Sequence, residues 1–129
     1  MSEPLCDFRG RVVEGDHYGR ALGFPTANIE KREFKATKCT IPVGIYAGTA
    51  RIVPGAKVYR AGIVIGPREK DDLPKIEAHL LDFSGNLYGK ELHLSLFVYL
   101  RPYRNFKGEG VLKEQISTDI QKVREVISL

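Results

Sequence analysis

Residues 91–100 read ELHLSLFVYL, the clearest alternation of apolar and outward side chains in the chain. Leu92, Leu94, Leu96, Val98 and Leu100 fall on one face. A period of two belongs to a half-buried β-strand, because successive side chains leave opposite sides of the backbone. The same signature recurs upstream. In KIEAHLLDF, residues 75–83, Ile76, Ala78 and Leu80 point one way while Glu77 and His79 point the other. Phe83-Ser84-Gly85-Asn86 turns the chain between these two strands. GIYAGTARIV, residues 44–53, and KVYRAGIVIG, residues 57–66, flank Pro54-Gly55 and form a hairpin. FRGRVVEG, residues 8–15, adds a strand that ends on glycine.

Downstream the period changes. Leu112, Ile116, Ile120, Val123 and Ile127 recur at spacings of three and four, with lysine, glutamate and glutamine between them. That pattern predicts an amphipathic helix of about four turns, laid on the strands by one stripe. Gly108 and Gly110 mark its approach. Short antiparallel strands closed by one helix fit a small barrel better than an open sheet, since closure removes exposed edges. The expected class is all-β: a closed antiparallel barrel of about six strands with a C-terminal α-helix.

The totals agree with a single domain over residues 1–129, and neither repeats nor a linker divide the chain. Lysine and arginine number 20 against 16 acids, a formal charge of +4 that suits a phosphate-bearing partner. The charges interleave, however, so a well-solvated surface explains the excess equally well. Cys6 and Cys39 lack CxxC spacing and are expected to be reduced thiols of a cytoplasmic protein. No apolar run reaches the ~20 residues of a membrane helix, and the MSEPLCDF start does not read as a signal peptide. There is no GxxxxGK[ST] phosphate loop, and His17, His79 and His93 are isolated, reading as surface or satisfied strand residues.

GRALGFPTAN, residues 19–28, is the stretch richest in chemistry. Gly15, Gly19 and Gly23 recur every fourth residue just before Pro25-Thr26-Ala27-Asn28. Glycines spaced this way let a loop turn its N–H groups toward phosphate oxygens, and Arg20 adds positive charge. Thr26 and Asn28 offer hard oxygen donors suited to Mg²⁺. Two apart, they share a face if the segment is extended, as the proline favours. A tight turn hydrogen-bonded by the same two side chains accounts for the motif equally well. Glu77, on the polar face of its strand, is expected to lack a basic partner two positions away. It suits a general base for an attacking hydroxyl, although a solvated strand glutamate is the commoner use.

Taken in order, Gly10-Arg11-Val12-Val13-Glu14-Gly15, GRALGFPTANI, Pro42-Val43-Gly44-Ile45-Tyr46-Ala47-Gly48, IEAHLLDFSGNLYGKEL, LRPYRNF and the tail from Leu112 resemble the riboflavin kinase (flavokinase) family. The resemblance runs nearly end to end. It implies a Greek-key barrel with a C-terminal helix, and transfer of the γ-phosphoryl of ATP to the 5′-hydroxyl of riboflavin, giving FMN and ADP. It also implies site residues. Thr26 and Asn28 would hold Mg²⁺, or another divalent cation, together with the nucleotide phosphates. Gly15, Arg20 and Gly23 would cover those phosphates, and Glu77 would be the general base. Asp82, Asn86 and Tyr88 would contact the adenine nucleotide, largely through backbone. Arg101, Phe106 and Leu112 would line the flavin side.

The expected partners are small molecules, riboflavin or FMN and ATP or ADP, for a monomer that engages neither nucleic acid nor membrane. One segment departs from the family pattern. Residues 64–72 read VIGPREKDD, without the asparagine usual before Ile65 or an aromatic after Pro67, so altered flavin affinity and turnover are expected. No adenylyltransferase domain is read in the chain, so FAD synthesis is not expected of it. The alternatives weighed are a flavin- or FMN-binding module with weak or no kinase activity, and an RNA-binding barrel stacking bases on Tyr18, Tyr99 and Tyr103.

Overall fold

The computed structural model describes residues 3–14, 26–32 and 40–129. Its strands are β1 (Cys6–Val13), β2 (Ala27–Ile29), β3 (Gly44–Val53), β4 (Val58–Arg68), β5 (Pro74–Leu80) and β6 (Glu91–Arg101), followed by helix α1 (Glu109–Val126). The strands close in the order β1-β2-β5-β4-β3-β6, with β6 returning to β1 and every pairing antiparallel. Within the ring, β3, β4 and β5 are consecutive neighbours and β6 comes back beside β3. That is the Greek-key arrangement.

Alternation decides what fills the barrel. Phe8, Val12, Ile29, Ile63, Ile65, Ile76, Leu80, Leu92, Leu94 and Leu96 all point inward and are buried. Completely burying a side chain of this size contributes roughly 1.5–3 kcal/mol, so this cluster is the main source of stability. The apolar row of β6 does not stay on one side, as its sequence suggested. The β3–β6 register slips between Ala47 and Gly48, passing from Ala47↔Val98 to Gly48↔Leu96. A one-residue slip reverses which face each later side chain occupies. Val98 and Leu100 therefore leave the barrel interior and pack with Ala47, Leu81 and Val123 in a second cluster beneath α1. Gly48 permits the close approach: a Cβ there would lie 2.0 Å from the Ser95 carbonyl oxygen.

The helix follows the predicted stripe. Ile116, Val123 and Ile127 are buried, and Leu112 and Ile120 are half-buried. Arg60 Nε donates to the Ile127 carbonyl at 2.7 Å, fastening the helix end to β4. Arg124 donates to both Asp82 carboxylate oxygens at 3.1 and 2.9 Å. No side chain caps the start at Gly108, but Glu109 in the first turn and Arg124 in the last suit the helix dipole. No helix among the described residues is long and apolar enough to cross a membrane.

Cys6, buried on the inner side of β1, is disulfide-bonded, which corrects the expectation of reduced thiols. Cys39, the chain's other cysteine, lies outside the described residues. Sequence spacing is no guide to such a bond, because the fold rather than the spacing sets which cysteines meet.

Candidate active site

The short strand β2 begins two residues after Pro25 in the sequence. Its partners then fix its faces. Ala27 pairs with Ala78 and Asn28 with Glu77, while on the other side Val13 pairs with Asn28. Ala27, Ile29, Ile76 and Ala78 face the core, so Thr26, Asn28, Glu77 and His79 stand together on the outer surface. Side chains directly opposite on neighbouring strands have Cβ atoms about 4.5–5.5 Å apart, which makes Asn28 and Glu77 immediate neighbours on this surface. One step along, Thr26 Oγ1 lies 3.1 Å from His79 Nδ1. Four polar residues from two sequence segments thus form one compact square.

A cleft opens on each side of the square. One, of about 350 Å³, lies against the outer face of β4 and β5, with α1 and residues 101–106 as its other walls. Glu77, His79, Gly62, Val64, Leu112 and Phe106 line it, along with Arg101 and Tyr103. The small or apolar surfaces of Gly62, Val64 and Leu112 suit a flat ring, while Glu77 supplies a carboxylate at one edge. Arg101 spends its charge internally, donating to Asp119 at 2.9 and 2.7 Å and lying 5.5 Å from the centroid of the Phe106 ring. Its role at this wall is to hold the residue 101–106 segment to the helix.

The second cleft, of about 630 Å³, is lined by Asn28, Glu14, Lys31, Arg32, Glu69 and Asp71 among others. Its charges are largely matched. Lys31 Nζ contacts Glu69 and stands 3.4 Å from an Asp71 carboxylate oxygen. The Glu69 hydrogen bond raises the Lys31 ammonium above its ordinary range. Asp71 is held below the usual carboxylate range, first by the Leu73 backbone N–H and then by Lys31. These contacts fasten the atypical segment 64–72 next to β2. Much of that segment is strand rather than loop: β4 runs to Arg68, with a register slip between Ile65 and Arg68.

Lys75 lines both clefts, and its Nζ lies 2.9 Å from Glu77 Oε1. This corrects the expectation of a glutamate without a basic partner. Residues two apart on a strand share a face, so Lys75 reaches Glu77 directly. A carboxylate has two oxygens and about four acceptor positions, so this contact leaves capacity for a substrate hydroxyl.

The other expected residues are placed less directly. Asp82 is exposed, adopts a positive φ of 61° and is engaged by Arg124. Asn86 accepts the Tyr88 backbone N–H at 2.9 Å, closing a turn with its side chain. Tyr88 is 59% exposed, and the next residue, Gly89, donates its N–H to Val12 in the β1 segment paired with β2. That loop therefore sits about two strand spacings, roughly 10 Å, from the Asn28 row. Gly15, Arg20 and Gly23 lie outside the described residues, as does Tyr18. Tyr103 lines the first cleft, and Tyr99 packs edge-on against Tyr46. Lys75 and His79 are the site residues that sequence reasoning passed over. Lys75 was visible from its spacing, whereas His79 needed the β2–β5 register.

A hydroxyl and an amide oxygen beside a carboxylate are hard donors that fit Mg²⁺. Among the described residues no group of three or more His, Cys, Asp and Glu side chains gathers as a metal cage. Such a cation would keep much of its shell in water and phosphate oxygens, as Mg²⁺ commonly does.

Comparison with known proteins bears on the family and the fold. Residues 4–127 match the family model described as "Flavokinase: Riboflavin kinase". Human riboflavin kinase is 33% identical over 125 residues, covering 94% of this chain and 80% of that protein. The bifunctional riboflavin kinase/FMN adenylyltransferase of Listeria monocytogenes is 36% identical over 118 residues, 90% of this chain, which spans 36% of that protein's length. A riboflavin kinase crystal structure from Trypanosoma brucei superposes with a TM-score of 0.61 at 27% identity, covering 92% of this chain and 77% of that one. The crystal structure of a macrolide-efflux protein from Streptococcus pneumoniae gives a TM-score of 0.81 at 27% identity, over 97% of this chain and 40% of that one. With its sequence matched over nearly its whole length and its barrel shared with a solved kinase of that name, the chain belongs to the riboflavin kinase family.

Proposed function

We propose that this chain is an ATP:riboflavin 5′-phosphotransferase, moving the γ-phosphoryl of ATP to the terminal ribityl hydroxyl to give FMN and ADP. The observation that carries the reading is the in-register Asn28–Glu77 pair standing between two clefts. The flavin ring lies in the cleft under α1, with its ribityl chain directed at Glu77. The nucleotide phosphates lie on the β2 side, held by Thr26 and Asn28. Phosphoryl transfer asks a protein mainly to align two substrates and to offset developing charge. Glu77 accepts the proton of the 5′-hydroxyl as that oxygen bonds to the γ-phosphorus and the bond to the β–γ bridging oxygen breaks. Lys75, already at Glu77, brings positive charge to the same edge. Thr26 and Asn28 would hold a Mg²⁺ ion, which would supply charge neutralisation for the phosphates.

Incubating the protein with riboflavin, ATP and Mg²⁺ and separating the flavins tests the reading. FMN should accumulate with equimolar ADP. A folded protein that makes no FMN with Mg²⁺, Mn²⁺ or Zn²⁺ overturns it. The Lys75–Glu77 contact favours one second reading, a flavin-binding module whose carboxylate is tied up. That reading predicts a protein-bound flavin spectrum with negligible phosphorylation.

A further inference from the structure

His79 is the member of the polar square to which the proposed reaction assigns no task. Its Nδ1 lies 3.1 Å from Thr26 Oγ1, and the residue lines the flavin-side cleft. The contact joins residues 53 apart in sequence, and strand register maintains it: Ala27↔Ala78 and Asn28↔Glu77 make Thr26 and His79 the next opposed positions. A threonine hydroxyl carries one proton and two lone pairs, and its proton rotates to whichever acceptor is nearest. If that proton swings toward a cation or a phosphate-bound metal, the oxygen presents the wrong end. An acceptor placed behind it removes the ambiguity.

We propose that His79 is a positioning residue for the phosphate-side metal, accepting the Thr26 hydroxyl proton at Nδ1 so that the Thr26 lone pairs face the cation. This rests on the function proposed above, in which Thr26 is a metal ligand. The tautomer required carries its proton on Nε2 and leaves Nδ1 as the acceptor. The arrangement has the general form of an outer partner that orients a ligand, and loss of such partners typically costs about 10–100-fold in metal affinity or activity.

The test is calorimetric titration of ADP into the folded proteins, with Mg²⁺ and again with EDTA, alongside thermal melting. His79→Leu removes the acceptor. His79→Asn puts an amide oxygen near the Nδ1 position and restores it. His79→Leu should weaken ADP binding about 10–100-fold with Mg²⁺ and leave binding in EDTA unchanged, and His79→Asn should recover most of the loss. Thr26→Ala should match His79→Leu, and the double variant should lose no more than either alone. Equal losses with and without metal, or His79→Asn as weak as His79→Leu, would mean a packing role and overturn the proposal. If Thr26→Ala loses metal-dependent binding while His79→Leu does not, only this inference fails. Parent protein that shows no Mg²⁺-dependent ADP binding overturns the ligand assignment as well.

Discussion

In the proposed reaction Glu77 takes the proton, and its setting is defined by what stands around it. Glu77 faces Asn28 across the β2–β5 ladder and Lys75 along its own strand. Glu77→Gln keeps the shape and hydrogen-bonding reach but cannot take a proton. Steady-state FMN formation should fall about 10²–10⁴-fold, with a much smaller change in the KM for ATP. Turnover equal to the parent's would remove Glu77 from the proton transfer. Part of this was legible in the sequence: Glu77 lies on the polar side of a regular alternation, and Thr26 and Asn28 sit two apart after a proline. Lys75 was equally legible, since the rule that puts Glu77 outside puts Lys75 beside it. The Thr26–His79 bond was not, because nothing local says which residue of β5 comes to lie across from β2.

The strands and the helix matter through where they deliver these side chains. β2 is only three residues long, too short for a period to be counted, yet it bridges β1 and β5 and so sets the register of the square. The regular row on β6 was misleading for the opposite reason. Its period is clear, but the slip at Ala47/Gly48 sends Val98 and Leu100 outward to meet α1. Val123 is the buried centre of that contact, so Val123→Ala should lower unfolding free energy by about 2–3 kcal/mol in urea titrations. A loss under 0.5 kcal/mol, roughly the surface-substitution level, would mean that the helix packs loosely. Arg124 holds the Asp82 carboxyl below the ordinary aspartate range. The pair's contribution is therefore complete above about pH 4 and fades as pH falls through the lowered value. Asp82→Asn should melt below the parent near neutrality, with the difference shrinking as pH falls through the lowered carboxyl value. A difference independent of pH would show that the contact is not ionic in origin.

The assembled barrel turns these local facts into one arrangement with two sides. Closure leaves an outer surface of β2, β5 and β4 on which the cleft under α1 and the cleft beside β2, proposed above for flavin and phosphates, meet along the Asn28–Glu77 row. The Greek-key path makes this possible by bringing β2 against β5, so the PTAN segment and the EAH segment become neighbours despite some fifty residues between them. The most direct test is a crystal structure with riboflavin and Mg·ADP bound together. The flavin ring should lie between the β4–β5 face and α1, its 5′-hydroxyl about 2.6–3.2 Å from the Glu77 carboxylate, with the ADP phosphates at Thr26 and Asn28. A riboflavin seated away from Glu77, or phosphates on the far side of the barrel from β2, would contradict the account.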